Sequence, residues 1–365
     1  ASAIAKTAGG SATLTLNAAN NIVFNTGANV ISTAGALGLT LNAGGAISTM
    51  RSISLNGGTL TLNATGAVTQ SSAITGNTSV VKNGAGTFTL SQNNTYTGAT
   101  TINAGTLALG AANRIANTSA VTVSTGATFN LAGFTETVGS IAGGGNITLG
   151  AGTLTTGGDN TSTTFSGSVS GTGGLAKTGT GTLTLSGTNT YTGTTTISAG
   201  TLAVSGGSSI ADSSQVTLAN TAGAALNLAG NETIGNLSGG GTTGGNVVLN
   251  GNTLTVNETA ATTYAGAISG AGGLIKEGAA ALTLSGANTY TGTTTINDGT
   301  LQVGAGGTTG MLGTGVVIDN AALLFNRSDA LSVANGISGT GALTKAGTGI
   351  LTLTGANTYT GGTTV

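Results

Sequence analysis

Lys177-Thr178-Gly179-Thr180-Gly181-Thr182-Leu183-Thr184-Leu185-Ser186-Gly187-Thr188-Asn189-Thr190-Tyr191-Thr192-Gly193 is the stretch on which the fold turns. Across Gly181 to Leu185 leucine alternates with threonine, and a period of two with β-branched partners describes a half-buried strand. Glycine, asparagine and serine clusters confine such strands to about four to six residues and supply positive φ and local side-chain hydrogen bonds at corners. No segment sustains the α-helical period, so no helix is expected.

The same stretch returns three more times. Lys82, Lys177, Lys276 and Lys345 each precede a Thr-rich strand and then Asn-Thr-Tyr-Thr-Gly, at Asn94–Gly98, Asn189–Gly193, Asn288–Gly292 and Asn357–Gly361. From 82 to 177, 276 and 345 the successive steps are 95, 99 and 69, and Tyr96, Tyr191, Tyr290 and Tyr359 repeat them. A period of about 23–25 residues divides these into about four, four and three coils, within the range of solenoid repeats. Near the N-terminus Leu14-Thr15-Leu16-Asn17-Ala18 recurs at Leu39–Ala43 and again at Leu60–Ala64, one coil length apart each time. Short strands at this coil length stack in register as an all-β parallel solenoid of about 15 coils at ~4.8 Å, a single elongated rod of ~70–80 Å.

Composition agrees with a thin, extended core. The 365 residues include 68 Gly, no Pro, and 3% aromatic side chains, little material for large globular cores. Leu, Ile, Val and Phe make up roughly 22%, just above the disordered range, and a net charge of −1 leaves no self-repulsion to hold the chain open. A missing N–H would break a ladder wherever both neighbours are paired, which accounts for the absence of proline.

The inventory also excludes chemistry. Without His or Cys there is no Ser-His-Asp triad, no Cys-His dyad and no ordinary zinc, haem or iron–sulfur site. Eight Lys and Arg, scattered from Lys6 to Lys345, form no phosphate-neutralising cluster, so nucleic acid is not a partner. Asn, Thr and Gly interrupt every apolar stretch well before it could span a bilayer, so no direct membrane insertion of this segment is expected. The start lacks a secretory n-region and h-region. Glycine triplets at 143–145 and 239–241 lack the Lys-Ser/Thr and helix of a phosphate loop, and Gly157-Gly158-Asp159-Asn160 lacks the periodic Gly-x-Asp of calcium-binding solenoids; no metal or cofactor is expected.

The quoted stretch, continued to Ile197, resembles the autotransporter-associated β-strand repeat of Gram-negative passenger regions. Residues 1–76, with Leu-Thr-Leu-Asn-Ala and Leu39-Thr40-Leu41-Asn42-Ala43-Gly44-Gly45-Ala46-Ile47, resemble instead the filamentous-haemagglutinin repeats of two-partner-secreted exoproteins. The resemblance implies a right-handed parallel β-helix, with residues 77–365 continuing the coils of 1–76, in a secreted or outer-membrane-anchored protein at a Gram-negative surface. It says little about activity, since such repeats serve as shafts for many functions. No translocator barrel or secretion domain is visible, and the last copy stops at Thr364-Val365 where earlier ones continue, so the chain reads as an internal slice of a longer protein.

Polar residues that recur with the repeat read as structural. Glu136 and Glu232 share a register; Asp159 and Glu258 stand at one and the same interval before Lys177 and Lys276, and Asp329 at a slightly shorter one before Lys345. Ion pairs Asp159–Lys177, Glu258–Lys276 and Asp329–Lys345 between adjacent coils are therefore expected, each at most ~1 kcal/mol if exposed. Tyr96, Tyr191, Tyr290 and Tyr359 recur every three or four coils, about 14–19 Å apart, too far for a sugar-stacking row and suited to corner packing. Asn94, Asn189, Asn288 and Asn357 are expected to cap corners through side-chain-to-backbone bonds. Asp298 and Asp319 are the least repetitive acids and the only candidates for polysaccharide cleavage; nothing in the spacing brings them together. The leading expectation is a non-enzymatic shaft of a surface adhesin or fibre, with other copies of itself or a host or neighbouring cell surface as partner. A self-assembling filament through end-to-end stacking is the alternative, and a polysaccharide-cleaving enzyme stands third.

Overall fold

A computed structural model describes residues 3–365. Among them there is no helix, and hence none long and apolar enough to cross a membrane. The chain forms a parallel β-solenoid of about 17 turns, close to the expected 15. Strands are shorter than anticipated, mostly three or four residues, because the chain turns a corner after each buried pair; the longest, Ala12–Ala18 and Leu37–Ala43, have seven.

The chain divides into two compact units, Ala1–Leu175 and Ala176–Val365. In the first, three sheets form faces of the coil, and a fourth begins with Glu136–Thr137 and Leu154–Thr156. One carries Ile4–Lys6, Val30–Ser32, Ile53–Ser54 and Ile74–Thr75; a second carries Ala12–Ala18, Leu37–Ala43, Thr59–Ala64, Ser79–Lys82 and onward to Thr163–Phe165. The third runs from Ile22–Val23 through Thr87–Leu90 to Ser168–Ser170. The leucine columns follow the sequence repeats: Leu14 pairs with Leu39 and Leu39 with Leu60, while Leu16 pairs with Leu41 and Leu41 with Leu62. Pairing runs unbroken past residue 76, since Leu60 and Leu62 lie beside Val80 and Lys82. Residues before and after position 76 therefore share one stack.

The second unit repeats the plan. Thr182–Leu185, Thr201–Val204, Ala225–Leu228 and Asn246–Val248 stack in parallel, as do Val216–Leu218, Leu237–Gly239, Thr262–Tyr264, Ala281–Leu284, Thr300–Val303 and Ala322–Phe325. A third face carries Glu232–Ile234, Leu254–Asn257, Leu274–Glu277, Thr294–Ile296 and Val317–Asp319. Inward positions such as Leu183, Leu202, Leu226 and Val247 are buried, while the intervening Thr and Asn face out, the alternation that a period of two imposes.

Corners tolerate residues that strands do not. Asn56, Asn160 and Asn250 adopt positive φ, the left-handed conformation that a short amide side chain accepts. The glycine of Asn-Thr-Tyr-Thr-Gly has a different reason. Gly98 has no positive φ; a Cβ there would lie 2.5 Å from the carbonyl oxygen of Thr78 on the preceding coil.

Candidate functional site

The repeated polar constellation is the most elaborate chemistry in the chain. It begins with lysine. Lys82, Lys177 and Lys276 point inward from the strands Ser79–Lys82, Leu175–Lys177 and Leu274–Glu277, and all three are buried. Each ammonium turns back to the corner after its own strand and reaches the next coil as well. Lys276 donates to the carbonyls of Glu277 (2.8 Å), Gly278 (2.6 Å) and Asp298 (3.1 Å), and Lys177 to Thr178 (2.6 Å), Gly179 (2.9 Å) and Ala199 (3.2 Å). Lys82 donates to Gly84 and to Ala104 (3.2 Å), and the half-buried Lys345 to Gly347. Each ammonium gathers carbonyls of the corner; that of Glu277 accepts the N–H of Glu258 (3.0 Å) as well.

These partners change the picture of the expected ion pairs. Asp329 does not take Lys345, which corrects that pairing; it binds Arg327, with 2.6 Å between guanidinium and carboxylate. Glu258 and Lys276 feel one another's charge, but Glu258 accepts hydrogen bonds from Leu237 N–H (3.0 Å) and the Thr262 hydroxyl (2.9 Å). Asp159 accepts from the backbone and hydroxyl of Thr161. The physical reason is local: a lysine stem reaches the converging carbonyls of its own corner first.

Asparagine spans three coils. Asn94 accepts the N–H of Ile74 on the coil before (2.9 Å) and donates to the carbonyl of Arg114 on the coil after (3.2 Å). Asn288 does the same with Ile268 (2.8 Å) and Met311 (2.7 Å); Asn189 donates to Ser209 (2.5 Å), and Asn357 accepts from Ile337 (3.0 Å). Tyrosine packs the corner inside. The hydroxyls of Tyr96, Tyr191 and Tyr290 meet Thr100, Thr195 and Thr294 at 2.8, 2.6 and 2.6 Å, and all three rings are fully buried. In two copies the row of hydroxyls continues to the next coil, Thr100 to Ser119 and Thr195 to Ser214. The half-buried Tyr359 keeps the same bond, to Thr363 (2.8 Å). With their faces inside the stack, the three buried rings offer no platform to a sugar.

One member of this set was not legible, and the role of another pair was not. Lys6 donates to Ala8, Gly9 and Ala34, the same carbonyl cage near the N-terminus. Its signal lay in Lys6 preceding Leu14-Thr15-Leu16 as Lys177 precedes Leu183-Thr184-Leu185, with a longer corner hiding the match. Glu136 and Glu232, recognised by register alone, turn out to hold loops. The carboxylate of Glu136 accepts the N–H groups of Arg114 (2.8 Å) and Ile115 (3.2 Å), and that of Glu232 those of Ser209 (3.3 Å) and Ile210 (2.7 Å). Burial pushes the carboxyls up, Glu136 to about 6, Glu232 to about 8 and Glu258 to about 7.

The acids weighed for cleavage do not converge. Asp319 is wholly buried, and burial raises its carboxyl, whereas Asp298 is exposed and receives the N–H of Gly299. A cleft of about 560 Å³ lies between Thr308–Met311 and a floor that includes Ala265, Ala267 and Ala287. No acid lines it, and its one charged residue, Arg327, is engaged with the carbonyls of Thr308 (2.6 Å) and Gly310 (2.8 Å). Among the described residues no three acids group to hold a metal.

A stack of short parallel coils carrying one Lys–Asn–Tyr constellation four times over defines a repeat-built β-solenoid class of protein. The segments 80–109, 175–204, 274–303 and 343–365 match the family model described as passenger-associated-transport-repeat. Each match opens on the strand that bears the repeat lysine or immediately before it, and takes in the asparagine and tyrosine. In these four segments the chain is similar to autotransporter passenger repeat regions, and the matches indicate a secreted protein displayed at the surface of a Gram-negative bacterium. Over 97 residues, 26% of the chain, it is 41% identical to the Adhesin BmaC autotransporter of Brucella suis biovar 1 (strain 1330), and the match covers 3% of that protein's length. No solved structure matches the chain.

Proposed function

We propose that this region is a non-enzymatic shaft of a large surface adhesin, which sets the distance between the cell and a binding element and resists unfolding while doing so. The observation that carries the reading is where the polar chemistry points. Lysine, asparagine, tyrosine and glutamate face backbone or buried hydroxyls of their own corner or of adjoining coils, so the elaborate part of the repeat serves the stack itself. Similarity to a protein named as an adhesin supports the adhesive setting. The partner is a host or neighbouring cell surface, or further copies of the chain.

A small tag inserted between Ala222 and Gly223, an exposed turn where glycine has nothing within 4 Å, tests this by electron microscopy of the intact protein on cells. A shaft puts the label partway along a thin stalk, once per molecule. A label recurring at even intervals along a fibre would make the region a polymerising unit and overturn the spacer reading.

A further inference from the structure

Three repeats carry a loop at one position, residues 110–118, 205–214 and 304–316, each between two strands and each held by a side chain from the following coil. The holding groups differ in charge. Glu136 and Glu232 grip backbone N–H groups of the first two, while Arg327 grips the carbonyls of Thr308 and Gly310 in the third, itself fixed by Asp329 at 2.6 Å. Their surroundings differ too. Glu136 feels the positive charge of Arg114, and Glu232 the like charge of Asp212; each in turn bears on a buried tyrosine, Tyr96 or Tyr191. The strands packed after them, Leu154–Thr156 and Leu254–Asn257, bring no titratable side chain. Both glutamates are sealed from water, at 0% and 2% exposure.

We propose that Glu232 is an acid-tightened latch on loop 205–214, that Glu136 is a weaker latch on loop 110–118, and that loop 304–316 is held at all pH values. A sealed carboxylate beside a like charge is stabilised by opening of the loop, because only then does water reach it. A neutral carboxyl has no such incentive. It keeps the shorter bond, Ile210 N–H to Oε1 at 2.7 Å, while the proton sits on Oε2 and the longer bond from Ser209 is surrendered. Opening uncovers Ile210 and Ala211, apolar side chains at 0% and 5% exposure, so the latch controls whether an apolar patch shows on the flank. The upward push of Glu232 to about 8 and of Glu136 to about 6 gives the ranking of the two latches, since Arg114 favours the charged form of Glu136.

Hydrogen-exchange mass spectrometry on the full chain, corrected for the intrinsic pH dependence of exchange, tests the latch. If opening restores the ordinary carboxyl value, protection of 205–214 falls about tenfold per pH unit from 6 to 8 and up to about a hundredfold by pH 9. Loop 110–118 responds less and 304–316 stays flat. Glu232→Gln, which mimics the neutral form, holds 205–214 protected at every pH and leaves the other two unchanged. Flat protection of 205–214 in the wild type overturns the proposal, as does an equal pH response in 304–316 or a pH response surviving in Glu232→Gln. The wild-type profile decides even if the variant folds poorly.

Discussion

Replacing Lys276 with methionine separates the ammonium from the stem that carries it. Methionine is unbranched and of similar length, so the packing of the aliphatic stem inside the coil is largely kept and the cavity contribution is small. What goes is the donor to three carbonyls, those of Glu277, Gly278 and Asp298. A hydrogen bond to a charged group contributes about 1.5–3 kcal/mol, and a buried acceptor left unpaired costs about 1–3 kcal/mol. Against this, the wild-type chain keeps a cation out of water, and burial lowers the Lys276 ammonium below its ordinary value despite Glu258, Asp298 and Glu277 nearby. Methionine relieves that desolvation. The balance predicts a loss of about 2–4 kcal/mol, read as a lower midpoint in equilibrium urea unfolding. Because solenoid repeats unfold with limited cooperativity, loss of exchange protection should centre on residues 274–303. An unchanged or raised midpoint for Lys276→Met would refute the role assigned to the ammonium and leave the stem's packing as the reason for lysine.

Three further outcomes follow from other parts of the stack. Burial pushes Glu136, Glu232 and Glu258 up to about 6, 8 and 7 from an ordinary 4.5, so these three carboxyls bind protons more tightly in the native chain than in the unfolded one. Unfolding free energy therefore rises as pH falls through about 8 to 6 and levels off below 4.5, and Tm at pH 5.5 should exceed Tm at pH 8.5 by several degrees; a lower Tm at pH 5.5 would count against these assignments. Burial raises the hydroxyls of Tyr96, Tyr191, Tyr264 and Tyr290 far above the ordinary tyrosine value, so absorbance at 295 nm should show those four ionising only when alkali unfolds the chain. Gly98→Ala forces a methyl group to 2.5 Å from the Thr78 carbonyl, and should cost about 1–3 kcal/mol and expose residues 74–103 to exchange, whereas a neutral effect would mean that adjacent coils slide apart freely.

The coil itself was readable. Leu-Thr-Leu alternation in Gly181 to Leu185 dictated a strand with one buried face, and the Leu-Thr-Leu-Asn-Ala recurrences predicted which leucines would stack, as Leu39 on Leu60 does. Recurrence also marked lysine, asparagine and tyrosine as structural groups. Their partners on adjoining coils were not readable, because those lie across a turn of variable length. Asn288 finds Met311 at a separation of 23 residues, Asn189 finds Ser209 at 20, and Lys276 finds Asp298 at 22. The near-constant interval between acid and lysine therefore carried no reliable geometry, and Asp329 went to Arg327 two residues away.

Sequence alone determined the class of structure and what the chain lacks the means to do. Period-two patterning, a repeat near two dozen residues and the absence of proline define a parallel stack, and the absence of His and Cys removes whole families of chemistry. Tertiary structure decided which way each polar group turns. Lys6 shares the cage of Lys177, the Asn-Thr-Tyr-Thr-Gly glycine exists for a neighbour's carbonyl, and one loop is held by arginine where two others are held by glutamate. The reason is that a solenoid's contacts run between coils. Local pattern fixes the shape of one coil, but only stacking sets the register that brings a side chain to its partner on the next.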